Sequence, residues 1–295
     1  MEELDLLRIA MAFLCGGFLT LSGSLTQIVT NNSLGSPSTL GFDALAALSV
    51  ICSQFIIVVT GEAFALEHVS LGLFLIAFLG LFLVSKIFSR GPHIRVFSLD
   101  IKVLILIGLG FNLFVGAIFS IVQFLFMALN FDFPTGLWFG NFKYFDEHTI
   151  YVLLFALLIL VVYLTKDARQ LRLLSLGEKF ALGLGIPVAK VQRRALFVSL
   201  GLTGVVISFF GVFSFLGLIV PHMLRSLNFF RSNMKRELFI GPIVGGLALA
   251  VMDYLCFQFD FRGAEFPAGM VSSVVGAFLL IVLLVKSQAK NFAKD

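Results

Sequence analysis

The stretch Ala195-Leu-Phe-Val-Ser-Leu-Gly-Leu-Thr-Gly-Val-Val-Ile-Ser-Phe-Phe210-Gly211-Val-Phe213-Ser-Phe215-Leu-Gly217-Leu-Ile-Val-Pro221-His222-Met-Leu-Arg225 decides how this chain folds. It is apolar over 195–224 and ends on a cation. One helix of that length would measure about 45 Å at 1.5 Å per residue, well beyond a hydrocarbon core of about 30 Å. Two spans would each be short. The choice depends on where the rest of the chain puts its charge.

Composition sets the solvent. Of 295 residues, 59% are hydrophobic and 13% charged, and the mean hydropathy is +1.04. A soluble domain carries about a quarter charged residues, so the bilayer must be the solvent here. Further apolar segments fall near 6–28, 40–60, 70–85, 103–129, 149–165, 238–257 and 268–285. Most are long enough for a spanning helix. The N-terminus is acidic where a cleavable signal needs a basic region, so the first segment is expected to remain as a span. The many phenylalanines read as helix-packing and lipid-facing residues. Cys15, Cys52 and Cys256 lie in apolar stretches without C-x-x-C spacing and read as small buried hydrophobes. His68, His93, His148 and His222 are scattered, and no pair has metal-ligand spacing.

Charge then fixes the sides. Most of the 21 Lys and Arg residues form four clusters. They are Lys86, Arg90, Arg95 and Lys102; Lys166, Arg169, Arg172, Lys179, Lys190, Arg193 and Arg194; Arg225, Arg231, Lys235 and Arg236; and Lys286, Lys290 and Lys294. The positive-inside rule places all four in the cytoplasm, so an even number of crossings must separate neighbouring clusters. Between the second and third, only a hairpin in 195–224 satisfies that parity, with its bend near Phe210-Gly211. Glu62, Glu67, Asp132, Asp146, Glu147, Asp260 and Glu265 fall on the opposite side. The result is an all-α polytopic membrane protein of about nine transmembrane segments, with an external N-terminus and a cytoplasmic C-terminus. The net charge of +4 reflects this topology and does not point to nucleic acid.

Several chemistries lack their residues. No G-x-x-x-x-G-K-[ST] run exists to cradle phosphate, so any ATP drive must come from a separate subunit. There is no nucleophile elbow, no H-E-x-x-H and no paired intramembrane carboxylates, which disfavours an enzyme. Asp253 is the best candidate for a proton relay, but a lone carboxylate reads more simply as a helix–helix hydrogen bond. The basic loop 166–194 has more internal pattern than a connector needs. Gly177-Glu178 can start a short helix, Gly183 and Gly185 can end it, Pro187 cannot continue it, and a second short helix can follow from Val188.

At this loop the chain begins to resemble the permease subunits of ATP-binding-cassette importers for ferric siderophores, haem and vitamin B12. Four blocks carry the resemblance over nearly the whole chain. Ser22-Gly23 through Gln27, with Asn31-Asn32-Ser-Leu34-Gly-Ser-Pro37-Ser-Thr-Leu40-Gly41, is similar to S-G-x-x-x-Q followed by N-P-L-A-x-P-x-x-L-G. Gln27, Asn31, Asn32 and Pro37 would build its structural turn. Gly177 to Gly185 resembles the family's coupling loop. Phe213 to Arg225 is similar to I-x-F-V-G-L-I-V-P-H-x-x-R and is the most specific block. Asp253, Glu265-Phe-Pro267-Ala-Gly269 and Gly276-Ala277-Phe278 resemble the last block, and Trp138-Phe-Gly140 resembles an external W-x-x-G segment. The chain departs from the pattern in two places. The usual ten spans are one fewer here, and Phe257 stands where an arginine four residues after the aspartate is common.

The resemblance implies a single transmembrane permease domain over 1–295 with the type II importer architecture, and a cytoplasmic coupling loop at 166–194. It implies ATPase coupling through Gly177, Glu178, Ala181, Leu184 and Gly185. Gating or signature roles fall to Phe215, Gly217, Pro221, His222 and Arg225, and docking of a binding protein to Arg8 and Arg262. The implied partners are an ABC ATPase subunit, a substrate-binding protein, a second permease subunit in a homo- or heterodimer, and membrane lipid. No nucleic acid, bound cofactor or metal is expected on this chain, with ATP on the partner. The implied cargo is an iron-siderophore or related chelate (haem, cobalamin), and the location is a bacterial cytoplasmic (inner) membrane. An ion-coupled secondary transporter, or a manganese or zinc ABC permease, is the alternative.

Overall fold

A computed structural model describes residues 2–60, 69–79, 101–129, 139–143, 148–226, 234–261 and 264–292. Its helices are α1 (Glu2–Thr30), α2 (Phe42–Thr60), α3 (Val69–Leu79), α4 (Ile101–Ala128), α5 (Thr149–Ser175), α6 (Glu178–Gly183), α7 (Val188–Phe210), α8 (Leu216–Ser226), α9 (Met234–Gln258) and α10 (Ala268–Phe292). A 3-10 turn at Ser38–Leu40 precedes α2. A two-residue antiparallel ladder pairs β1 (Asp260–Phe261) with β2 (Ala264–Glu265), joining α9 to α10. Among the described residues, five helices are long and apolar enough to cross a membrane, and shorter apolar helices occupy Phe42–Val58, Val69–Leu79 and Ala268–Leu283.

The protein is organised around α1. Its middle is buried almost without interruption from Met11 to Thr30, with α9, α7, α8 and α5 packed around it. Two features of the sequence put it there. The face toward α9 is small: Gly16 and Thr20 meet Gly245, while Phe13 meets Gly246, so the two backbones approach closely in antiparallel order. The face toward α7 carries hydroxyls. Ser22 Oγ lies 2.6 Å from Ser199 Oγ and 2.7 Å from Thr203 Oγ1, and Thr26 Oγ1 lies 2.9 Å from Ser199 Oγ. A polar face of this kind is stable in a bilayer only when other helices cover it.

The hairpin required by charge parity is present. α7 ends at Phe210, and Gly211 takes φ 84°, ψ −169°, a conformation that favours glycine. The chain then runs without helix to Phe215 before α8 begins. α8 is 11 residues long, about 16 Å at 1.5 Å per residue, so it returns through only part of a membrane. Of the other segments, α1, α5, α9 and α10 run past their expected ends, whereas α2 begins two residues late, at Phe42. α5 continues to Ser175, so the first ten residues of the basic loop are helical. The second short helix expected from Val188 is not separate. It is the start of α7, because nothing interrupts the helix ladder until Gly211.

Gly23 and Gly217 mark the tightest crossing. A β-carbon on Gly23 would overlap the Gly217 carbonyl, whereas one on Gly116 of α4 would meet nothing. Gly23→Ala is therefore expected to lower the thermal midpoint of the detergent-solubilised protein by several degrees or abolish folding. Gly116→Ala should leave the midpoint unchanged in the same melt.

Candidate functional site

Pro221 lies inside α8 and has no N–H, so the Gly217 carbonyl, four residues earlier, loses its helical donor. That carbonyl is pressed onto Gly23 of α1, where the absence of a side chain allows close approach. One turn further along α1, Gln27 Nε2 donates to the Leu218 carbonyl at 3.1 Å. Gly23 and Gln27 thus meet the disturbed first turns of α8. At its start, Phe215 takes φ 69°, uncommon for a bulky side chain, and its ring packs where a side chain on Gly276 would sit. The signature residues Phe215, Gly217 and Pro221 are brought together with Gln27 of the turn block.

The rest of that block folds as a string of side-chain-capped turns. Asn31 takes φ 46°, and Asn32 Oδ1 accepts the Leu34 N–H at 3.0 Å. Ser36 and Thr39 cap each other: Thr39 Oγ1 accepts the Ser36 N–H and Ser36 Oγ accepts the Thr39 N–H. Pro37 opens the 3-10 turn and sits beside Gly217. The chain therefore leaves α1 at Thr30 and turns back to the level of the α8 break before α2 starts. The Ser38 carbonyl at its tip accepts from Asn112 of α4.

Arg225 and His222 emerge at the far end of α8. Arg225 grips Glu237 of α9 with two hydrogen bonds, Nε to Oε2 at 2.8 Å and Nη2 to Oε1 at 2.6 Å. His222 is half-buried. A cleft of about 560 Å³ opens here, lined by Gln27, Asn31, Asn32, Arg172, Arg225 and Glu237 among others. Gln27 Oε1 is buried on its wall without a hydrogen-bond partner among the described residues. A second ion pair ties the same end together, from Arg194 of α7 to Asp167 of α5 at 2.9 Å.

The loop expected to couple to an ATPase folds as a compact step between α5 and α7. Gly177 takes φ 124° and Gly185 φ 75° at the two ends of α6. Ala181 is fully buried against the permease body, so it anchors α6 and offers no surface to a partner. The outward face belongs to Phe180, Leu182 and Leu184, each more than half exposed, beside the exposed Glu178. The exposure of Phe180 and Leu182 was not legible in the sequence, although apolar residues in a basic loop were the available signal.

At the opposite end the sequence expectation changes. Arg8 is not an exposed docking charge. It lies 8% exposed on α1 and holds Asp253 of α9 through Nε to Oδ2 at 2.8 Å and Nη2 to Oδ1 at 3.0 Å. Phe257 lies under the guanidinium, with Arg8 Cζ 4.9 Å from its ring centroid. The aromatic residue that stands where an arginine is common thus serves as a platform for Arg8. Asp253 is not the lone carboxylate it seemed, because its partner lies 245 positions away in sequence. Arg262 and Trp138 lie outside the described residues. Among the described residues, no group of three His, Cys, Asp or Glu could hold a metal ion.

This architecture, with helices around a buried α1, a broken α7–α8 hairpin and a short-helix step at the basic end, defines a multi-pass membrane permease. The chain belongs to the FecCD transport family, whose model matches residues 1–286. It is a permease subunit of an ABC importer and not itself an enzyme. It is 29% identical to the iron(3+)-hydroxamate import system permease protein FhuG of Bacillus subtilis, over 97% of this chain and 83% of that protein. It is 28% identical to the ferric enterobactin transport system permease protein FepG of Escherichia coli, over 98% and 83%. It is 27% identical to the vitamin B12 import system permease protein BtuC of Vibrio vulnificus, over 97% and 82%. Its fold matches a metal-chelate type ABC transporter in an inward-facing conformation, with a TM-score of 0.77 and 25% identity over 95% of this chain and 85% of that one.

The Arg8–Asp253 pair gives a direct stability test. Arg8→Met leaves a buried carboxylate unpaired and should cost about 3–5 kcal/mol, whereas replacing both partners by apolar residues is often close to neutral. Thermal unfolding in detergent should therefore show a large loss for Arg8→Met, most of it recovered in Arg8→Met/Asp253→Leu.

Proposed function

We propose that this chain is the membrane-spanning subunit that carries an iron-siderophore or related chelate (haem, cobalamin) across a bacterial cytoplasmic membrane, driven by a separate ABC ATPase subunit. A second permease copy or a paired permease completes the pathway, and a substrate-binding protein delivers the cargo. The observation that carries the reading is the broken α7–α8 hairpin. It lies against α1 at membrane depth and is joined by the single helix α7 to the coupling step at the basic end. Discontinuous helices of this kind recur where transporters bind and pass their substrates. The relatives' names support the cargo class, since they include importers of ferric hydroxamates, ferric enterobactin and vitamin B12.

In this reading ATP-driven closure of the ATPase pair presses on α6 through Phe180, Leu182 and Leu184. Gly177, Gly185 and the buried Ala181 make α6 a firm lever on the end of α7. Motion along α7 reaches the Gly211–Phe215 break, where the hydroxyl face on α1 and the Gly23–Gly217 crossing hold one arrangement of the hairpin. Coupling requires an element of this sort that both ends bias. With the basic clusters taken as cytoplasmic, α6 and the Arg225–Glu237 pair belong to the inner side and the Arg8–Asp253 pair to the outer one.

Reconstitution with the ATPase and binding protein tests the whole reading: ATP should drive accumulation of a radioiron chelate, and an uncoupler alone should not abolish it. Leu182→Asp is expected to cut uptake and permease-dependent ATPase stimulation at least about tenfold, because it puts a charge into a desolvated contact. Its thermal midpoint should match that of the unsubstituted protein. Uptake unaffected by Leu182→Asp would remove α6 from the coupling path.

A further inference from the structure

We infer that Asp43 selects the cargo by charge: it is a fixed carboxylate at mid-bilayer depth beside the hairpin break, favouring neutral and cationic chelates and opposing anionic ones. This rests on the importer reading above and names the charge class of its cargo.

Depth comes first. Asp43 shares a small cavity with Leu19 of α1, with Ser36, Pro37 and Ser38 of the returning turn, and with Phe213, Phe215, Gly217 and Leu218 around the break. Leu19 lies about 16 Å along α1 from Thr30, and about 20 Å from Leu6 where the apolar part of α1 begins, at 1.5 Å per residue. A hydrocarbon core is about 30 Å thick, so the cavity sits near its middle.

Exposure comes second. Asp43 is partly exposed in the single subunit, as are Phe42, Val212, Ser214 and Phe215 beside it. A carboxylate at this depth does not face lipid, because such groups face a bundle interior or a water-filled path. The irregular backbone on both sides of Asp43, 31–41 and 211–215, obeys the same restriction. The open side of Asp43 is therefore the side along which cargo passes, and a permease pair presents one such carboxylate from each copy.

Charge comes third. Asp253, Asp167 and Glu237 are each held by an arginine. Among the described residues Asp43 accepts a hydrogen bond from the Ser38 hydroxyl and has no ion-pair partner. Its place in the first turn of α2 suits a helix N-terminus, and with Ser38 this explains how a carboxylate is tolerated there. Neither contact supplies an opposite charge, and in a medium of low polarity the ionised carboxylate acts strongly on what passes. Ferric chelates differ in this property. Three hydroxamates balance ferric iron and give a neutral complex, whereas three catecholates give a trianion. A fixed negative charge rejects the second by repulsion, which is how specificity is set against a near competitor.

The test holds the chelating head constant and changes only the charge of the cargo. The complete transporter is reconstituted with its ATPase and binding protein. It is then offered a linear ferric trihydroxamate with a free amine, and the same molecule succinylated at that amine to carry a carboxylate. The unsubstituted transporter should favour the amine form at least about tenfold, a ratio typical of one unscreened charge contact. Asp43→Asn, which keeps the shape and the Ser38 contact, should bring the two rates within about twofold, and Asp43→Lys should invert the preference. In a Cys52→Ser background, Asp43→Cys should react with a membrane-impermeant cationic thiosulfonate during turnover. A preference unchanged in Asp43→Asn overturns the inference, and so does an Asp43→Cys thiol that stays unlabelled. If the unsubstituted transporter accumulates neither chelate while Asp43→Cys labels, the chelate reading itself fails and charge selection falls with it.

Discussion

The rest of the structure depends on one constraint: backbone groups released from a helix at membrane depth must be satisfied by protein. Pro221 and the 211–215 break release several of them. Water cannot reach them from lipid, and leaving them bare costs several kcal/mol each. The chain answers from α1. Gly23 lets the Gly217 carbonyl come close, and the Gln27 amide reaches the Leu218 carbonyl. Gly23, which makes room for the Gly217 carbonyl, and Gln27, which donates to the Leu218 carbonyl, lie on one face of α1, so α1 covers the broken segment from the centre of the bundle. Its other faces follow from that position. A central helix in contact with four others needs small residues where it crosses α9 and covered hydroxyls where it meets α7, and both are present.

Much of this was legible in the sequence because membranes make sequence unusually explicit. Hydropathy located the segments. The four basic clusters then demanded a hairpin at 195–224, and α7 ends at Phe210, where the bend was expected. The short helix α6 was legible from Gly177, Gly183, Gly185 and Pro187, since glycine and proline punctuate helices strongly. What failed was everything that depends on which distant residues meet. Asp253 read as one end of a helix–helix hydrogen bond, which it is, but its partner Arg8, at the other end of the chain, could not be read. Arg8 read as an exposed docking charge for the same reason. Glu237 carried no signal as the partner of Arg225, and Ala181 proved buried while Phe180 is exposed, because the facing of a six-residue helix cannot be judged without the body it packs against. Asp43 escaped notice inside an apolar run, where a single carboxylate barely alters the hydropathy of its segment.

Three arginine–carboxylate pairs among the described residues divide the labour along the bundle. Arg8–Asp253 clamps α1 to α9 at one end, and Arg225–Glu237 clamps α8 to α9 at the other. Arg194–Asp167 locks α7 to α5 beside the coupling step. Each pair is deeply buried on its carboxylate side, so each is stable only when its geometry is kept. Between the clamps, α1 meets α7 through hydroxyls and α8 through Gly23 and the Gln27 amide. Such contacts can be exchanged for others at low cost, whereas a bidentate ion pair cannot.

That difference decides where the molecule can move. A rigid displacement of α6 and α7 as a unit would have to open the Arg194–Asp167 pair, whereas a change at the Gly211–Phe215 break needs only rotation about non-helical backbone and a slip of hydroxyl partners. The cleft lined by Gln27, Asn31, Arg172, Arg225 and Glu237 lies below that break, and the cavity of Asp43 lies beside it. A modest rearrangement of the hairpin would therefore alter both the space at the basic end and the exposure of the one carboxylate among the described residues of the bundle core that no arginine holds. In this arrangement the step that opens the path and the charge that inspects the cargo share a single hinge, and the clamps at either end keep the motion confined to it.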